Sequence, residues 1–286
     1  MFVDRILQAV GNREDRKPKI GAYNIGKCVR SLWYVEKGYE REQRIGRGHV
    51  VMEAGKYLED MVLDLMEEAG IPFFVPETVE SAIGFRMRPD AMVWVPDSGW
   101  VVAEIKTMSN YGFMRATQGD MDYSYLAQLE SYFHADYQRS ATVRVSHPEL
   151  FPKGDVAIPS QGMFLCVRKE TLHLHEHYRQ PDPELWADIV MRQGIAQNAT
   201  GPPRRPYAAS SECTLCGGKG TTPKATRACS RCSGDGLDPK GPFITNFPCG
   251  YCDYKASCWG PLRMEVVKGK PKWKILGNDE PDAIVA

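Results

Sequence analysis

The sequence predicts an α/β protein, with helices and strands mixed along one chain and a small cysteine-rich appendage behind them. Three observations carry this. Apolar residues recur at helical spacing in some stretches and as β-branched runs in others. Seven of the nine cysteines crowd into 46 residues near the C-terminal end. Between these parts, "TGPPRRPYAAS" at 200 to 210 reads as a linker by its proline and glycine content. A chain of 286 residues can bury a substantial core, and one large domain with an appendage, or two domains, is expected.

The elements follow in order. "NIGKCVRSLWYVEKG" (24–38) reads as a helix closed by Gly38. In "VVMEAGKYLEDMVLDLMEEAG" a longer helix sets Val51, Ala54, Leu58, Met61, Val62, Leu65 and Met66 on one stripe, and Gly70 ends it. Strand candidates fall at 73–80, 83–88, 90–95 and 100–106, with "VPDSG" as the turn that makes the last two a hairpin. "DYSYLAQLESYFHADYQ" reads as a helix, "ATVRVSH" and "GMFLCVRKETLHLHEHY" as strands, and "DPELWADIVMRQGIAQN" as a further helix. The tail from 275 reads as loosely ordered.

The formal net charge of zero conceals segregation. Residues 1–47 carry 11 Lys and Arg against 6 Asp and Glu, residues 48–200 carry 12 against 22, and residues 201–274 carry 13 against 5. Basic ends around an acidic middle fit a protein that holds a polyanion at its ends and concentrates carboxylates around metal ions in between, although uneven solvated surface gives the same counts. No run of about 18 apolar residues would span a membrane, and "MFVDRILQAVGNREDRK" has no signal-peptide core, so a cytoplasmic location is expected.

"VVAEIKT" (101–107) is a buried-strand pattern that ends in Glu104 and Lys106, two of the side chains that most resist burial. Side chains two apart on a strand share a face, so these two stand together while Ile105 packs on the other side. The hairpin brings Asp90 beside Glu104. Two close carboxylates repel, and holding both ionised calls for a cation; oxygen-only donors suit Mg²⁺ or Mn²⁺. Such an ion polarises a phosphate oxygen and lowers the pKa of a water, with Lys106 placed to orient that water or to stabilise developing negative charge. Phosphodiester hydrolysis is the reaction this predicts. A bare Glu-x-Lys, taken alone, is an ordinary surface ion pair.

Its company is more specific. Pro89-Asp90, 13 intervening residues and Glu104-Ile105-Lys106 resemble the PD-(D/E)xK nuclease superfamily. Gln128 and Tyr132, four apart and so on one helical face, resemble the Gln-x-x-x-Tyr motif of its RecB-like exonuclease branch. Gly55-x-x-x-Glu59 stands where that branch carries a metal ligand; many members have histidine there, and His49 is the alternative to Glu59. The resemblance covers roughly residues 20–180 and 245–260. It implies a restriction-endonuclease-like core, a mixed central sheet flanked by helices. Asp90, Glu104, the Ile105 carbonyl and Glu59 would hold Mg²⁺ or Mn²⁺, Lys106 would sit at the water, and Gln128 and Tyr132 would position the strand. The implied activity is a metal-dependent DNA exonuclease acting on single-stranded DNA or free ends in recombination, repair, or phage or CRISPR DNA processing, with a recombination or helicase protein as a further partner. A site-specific endonuclease on the same fold, or a nuclease-like DNA- or partner-binding module using the cysteine-rich insert, are the alternatives.

The cysteines divide into two sets. Cys249-x2-Cys252-x5-Cys258, with Cys28 more than 200 residues upstream, resemble the iron–sulfur staple of AddB-type and CRISPR-associated RecB-like nucleases, which implies a [4Fe–4S] cluster; a four-cysteine zinc site uses the same ligands. Cys213, Cys216, Cys229 and Cys232 form two Cys-x-x-Cys units 16 residues apart, suited to tetrahedral Zn²⁺ and similar to half of the zinc-binding region of DnaJ-type chaperones. Lys219, Lys224, Arg227 and Arg231 around that insert would grip a nucleic-acid backbone or a protein partner, or the insert is a structural brace. Cys166 reads as a core thiol. His173, His175 and His177 alternate on one strand face, an arrangement open to a metal or, with no carboxylate or cysteine at a helpful spacing, to a solvated or edge position. The expected division is 1–200 as nuclease core with the first cluster cysteine, 201–242 as zinc insert, and 243–286 as iron–sulfur segment and tail.

Overall fold

The β-branched runs pair into one six-stranded sheet. The computed structural model describes residues 19–42, 46–135, 142–146, 159–206, 243–244, 249, 252–267 and 270–276. It falls into two units, one of residues 1–38 and 44–201, the other of 39–43 and 202–286.

In the first unit, short α1 (Ala22–Ile25) and α2 (Val29–Glu36) replace the single helix expected over 24–38. Cys28 is the reason for the break: its backbone is extended and its Sγ accepts from Ser31 N, capping α2. Gly38 then takes the left-handed conformation expected of a helix-ending glycine. Helix α3 (Gly46–Glu68) follows. Its buried face is Val62, Leu63 and Met66, whereas Val51 and Leu65 of the expected stripe are exposed.

Strands β1 (Phe73–Pro76), β4 (Ala91–Val95) and β5 (Gly99–Met108) form an antiparallel meander, while β2 (Val79–Glu80) and β3 (Arg86–Met87) pair apart from it as a ribbon. Helices α4 (Asn110–Ala116) and α5 (Tyr123–Phe133) and strand β6 (Thr142–Val145) lead to β7 (Gly162–Arg168), which runs parallel to β5. A parallel neighbour needs such a crossover, and helices supply it. β8 (Leu174–Arg179) closes the edge antiparallel to β7, and α6 (Pro183–Asn198) ends the unit. The order is β6-β1-β4-β5-β7-β8, a mixed sheet flanked by helices, in agreement with the restriction-endonuclease-like core expected from the sequence.

The two sheet faces differ in chemistry. One, with Phe73, Val75, Ala91, Val93, Val101, Ala103 and Ile105, buries against Val62, Leu63 and Met66 of α3. The other carries Glu104 and Lys106 and lies under α5. Gly162 permits that packing: a Cβ there would stand 2.9 Å from Phe133 Cζ and 3.0 Å from Leu129 Cδ1. With Leu129 and Phe133 turned to β7, Gln128 and Tyr132 on the adjoining stripe of α5 reach β5.

The second unit has a three-stranded sheet in the order β10-β11-β9, formed by β9 (Phe243–Ile244), β10 (Leu262–Val267) and β11 (Lys270–Ile275). Beside it is the short helix α7 (Lys255–Trp259). Glu42 accepts from Ala256 N at 2.7 Å and pairs with Lys255, satisfying an orphan donor of that helix. Ile244, Trp259 and Ile275 form its core, with Cys249 and Cys258 packed against them. Among the described residues no helix is long and apolar enough to cross a membrane.

Candidate active site

The site begins where the β4–β5 ladder stops. Its last pair is Ala91 with Ala103, and beyond it Asp90 Oδ2 accepts from Ile105 N at 2.7 Å. A side-chain carboxylate thus takes the place of a strand carbonyl, which draws Asp90 toward Glu104. Glu104 itself is 2 % exposed. Its Oε1 accepts from Lys106 Nζ at 2.5 Å and Gln128 Nε2 at 2.7 Å, and its Oε2 accepts from Tyr132 OH at 2.8 Å. Gln128 also donates to Tyr132 OH at 2.9 Å and accepts from Lys106 Nζ at 2.9 Å. Every polar group of Gln128 is therefore committed, which fixes its amide orientation.

Burial pushes the Asp90 carboxyl well above the usual carboxylate range, and repulsion from Glu104 and then Glu59 adds to it; Lys106 and the Ile105 N–H oppose without cancelling. Glu59 is raised by burial and by Glu104, against partial relief from Arg88 and Lys106. For Lys106, burial pulls the pKa down, but the Glu104 carboxylate, by charge and by hydrogen bond, and Asp90 outweigh it, so the shift is upward and the side chain stays an ammonium. Burial, reinforced by Glu104 and Asp90, lifts the Tyr132 phenol far up, which keeps it a donor.

Glu59 comes from α3, which crosses the end of β5: a Cβ on Gly55 would stand 3.7 Å from Thr107 Oγ1, and Glu59 is one turn further along. The sequence-predicted residues Glu59, Asp90, Glu104, Lys106, Gln128 and Tyr132 are thus brought to one end of β5. Ile105 packs on the α3 face. His49 is buried in α3, its Nε2 without a hydrogen-bond partner among the described residues.

The donor set fits a hard divalent cation. Oxygen ligands alone are present, and three carboxylates face one ammonium. Among the described residues no three His, Cys, Asp or Glu side chains are gathered closely enough to hold an ion by themselves. Mg²⁺ does not need such a cage, since it keeps several waters and takes one or two carboxylates plus substrate phosphate.

Two neighbours were not legible as site residues. Lys106 Nζ lies 5.0 Å from the centroid of the Tyr125 ring, a cation–π contact that backs the ammonium. Tyr125 precedes Gln128 by three and so shares its helical face, and that spacing was the available signal. Arg88 is the second: Tyr132 OH also lies 3.3 Å from the Arg88 carbonyl oxygen.

The remaining expected sites are placed as follows. Cys28 caps α2 in the first unit. Cys249, Cys252 and Cys258 belong to the second, where Cys252 N donates to Cys249 O at 3.2 Å and Cys258 N to Tyr254 O at 2.9 Å. No three of the described cysteines form a ready metal site. Cys213, Cys216, Cys229, Cys232, Lys219, Lys224, Arg227 and Arg231 lie outside the described residues. Cys166 is a buried thiol whose pKa burial raises to about 11. His173 precedes β8 and pairs with Thr171 Oγ1 at 2.8 Å, while His175 presents its ring edge-on to Phe113 at 6.2 Å. With His177 they stand at the sheet's edge strand.

No family model and no curated protein matches this chain. Among solved structures, it is similar to an alkaline exonuclease (LHK-Exo) from Laribacter hongkongensis at 14 % identity and TM-score 0.40, over 68 % of this chain and 90 % of that one. It is also similar to LHK-Exo in complex with dAMP at 15 % identity and TM-score 0.42, with the same coverage.

Proposed function

We propose that the protein is a metal-dependent DNA exonuclease of the RecB-like PD-(D/E)xK type, with its centre at Asp90, Glu104 and Lys106. The supporting observation is one buried network in which two repelling carboxylates and a retained ammonium meet at the end of a strand, with Gln128 and Tyr132 holding Glu104 in place. Mg²⁺ or Mn²⁺ held by Asp90 and Glu104, with the Ile105 carbonyl and Glu59 as further oxygen ligands, would supply Lewis acidity and a more acidic water. The chain's own groups do the rest. Lys106, kept protonated by Glu104, is placed to stabilise charge developing on the phosphate oxygens or to orient the attacking water. Gln128 ties Lys106 and Glu104 together, so neither swings away when substrate enters. Tyr132 donates to the Glu104 oxygen that Lys106 leaves open.

A [4Fe–4S] cluster, or zinc, on Cys28, Cys249, Cys252 and Cys258 is proposed on the resemblance to AddB-type and CRISPR-associated RecB-like nucleases, and Zn²⁺ on Cys213, Cys216, Cys229 and Cys232 on their paired Cys-x-x-Cys spacing. Iron, sulfide and zinc analysis of anaerobically purified protein tests both: brown protein that loses colour in Cys258→Ala is expected, and colourless protein with zinc alone would remove the cluster.

The function is tested by digesting end-labelled single-stranded DNA with Mg²⁺ and with Mn²⁺. Progressive shortening from an end is expected, lost with chelator and in Asp90→Ala and Lys106→Ala. Undiminished cleavage by both variants would remove the site, and cutting of closed circular DNA would make the enzyme an endonuclease.

A further inference from the structure

Exposure alternates residue by residue through the segment that delivers Asp90. Phe85, Met87, Pro89 and Ala91 are buried, Arg86 and Arg88 are exposed, and Asp90 is half-buried. Pro89 enforces this geometry, because the residue before a proline is pushed into an extended conformation, so Arg88 continues the line of β3. Arg86 and Arg88, two apart on this extended stretch, are thus exposed on the one side, just before the bend that carries Asp90. Neither guanidinium has an ion pair or side-chain hydrogen bond among the described residues; Glu80 stands opposite Arg86 in the ribbon without pairing with it.

Unpaired arginines beside an acidic cluster invite explanation. Charge balance accounts for part of Arg88 alone, which eases Glu59 without an ion pair among the described residues, and leaves Arg86 unexplained. Two further facts tie the pair to the site. Tyr132 OH, which donates to Glu104, also lies 3.3 Å from the Arg88 carbonyl oxygen, so the Arg88 backbone stands close to the site. The Arg88 charge also reaches Glu59. Alternate positions on an extended chain repeat at about 6.6 Å, comparable to the separation of neighbouring phosphates in an extended nucleic-acid strand, and guanidinium is the side-chain group best shaped to grip phosphate.

We propose that Arg86 and Arg88 form a track that holds successive phosphates on one side of the bond cut at Asp90 and Glu104. This rests on the nuclease reading and adds to it the direction in which the strand leaves the site. Such a track fixes register without reading sequence.

The test is an anisotropy titration of a labelled oligothymidylate in chelator over a salt series, alongside Mn²⁺-dependent cleavage of the same probe. Each phosphate contact on a single strand contributes about 0.7 to the slope of log affinity against log salt. Arg86→Ala and Arg88→Ala should each lower it by about 0.7, and the double variant by about 1.4, with the cleavage defect larger in KM than in kcat. Arg86→Lys and Arg88→Lys should keep the slope. Arg144→Ala, which removes a charge paired with Asp64 and Glu67 near the β6 edge, should match wild type. A double variant with wild-type slope and KM would overturn the track. The slope is read without turnover, so absent cleavage by the wild-type protein counts against the nuclease reading alone.

Discussion

The two ends of the β4–β5 hairpin are built from the same strands and serve opposite purposes. At the turn end, Trp94 pairs with Trp100 in the ladder, their rings meet edge-on at 5.5 Å, and Trp100 meets Phe74 in the same way at 5.1 Å. Trp100 and Phe74 are buried there with no charge to desolvate, which is how a fold gains stability, while Trp94 covers Trp100 from the exposed side. At the other end the ladder breaks after Ala91, and three carboxylates are held near one ammonium, with burial working against two of them. The turn end adds stability, and the other end carries a burial and repulsion cost that Lys106 offsets only in part. A strand end that costs the protein stability is where function is expected.

Four substitutions sharpen that contrast, in falling order of effect. Trp100→Ala should destabilise by about 3–5 kcal/mol, the usual cost of a large aromatic in a core, while cleavage per folded molecule survives; chemical denaturation beside an activity assay shows this, and a small loss of stability would mean the turn end is not a structural anchor. Lys106→Ala should lower kcat about 10² to 10³-fold and, because it strips buried Glu104 and Gln128 of a partner, also cost about 1–3 kcal/mol of stability; an activity loss no larger than the loss of folded protein would make Lys106 structural. Tyr132→Phe leaves Glu104 and Gln128 each short of a partner, worth about 1–3 kcal/mol, and should reduce both activity and stability; if both hold at wild-type level, Tyr132 does not hold Glu104.

The smallest effect concerns pH. The Asp90 carboxyl is held above its unfolded value near 3.9, so its protonated form favours the fold. That stability is present in full below about pH 4 and is lost as pH climbs toward the raised value. In chelator at pH 7, Asp90→Asn should therefore melt a few degrees above wild type, with the gap closing below about pH 4. Equal melting curves across that range would show that Asp90 is not under repulsion.

How much was legible follows the same physics. The hairpin, the α5 face and the β5 end were readable because a strand repeats every two residues and a helix every 3.6, so Glu104 with Lys106 and Gln128 with Tyr132 could be paired by spacing alone. Helix α4 was missed because it has seven residues, one of them Gly112, and starts on a Ser109 cap. The break at Cys28 was missed because its thiol capping α2 looks, in sequence, like one more residue of a helix. The strands of the second unit were missed because "LRMEVVKGKPKWKI" mixes charge with β-branched residues and carries a proline. Tyr125 shares a helical face with Gln128 but acts through its ring face on Lys106, and Arg88 acts through its backbone carbonyl, which no side-chain motif announces.

The central claim is that Asp90 and Glu104 share one divalent ion beside Lys106, and Mn²⁺ titration followed by electron paramagnetic resonance tests it most directly. Wild-type protein should remove about one equivalent of free Mn²⁺ at this centre, and Asp90→Asn and Glu104→Gln should each abolish that uptake while remaining folded. Unchanged Mn²⁺ uptake in both variants would contradict the shared ion and with it the proposed chemistry.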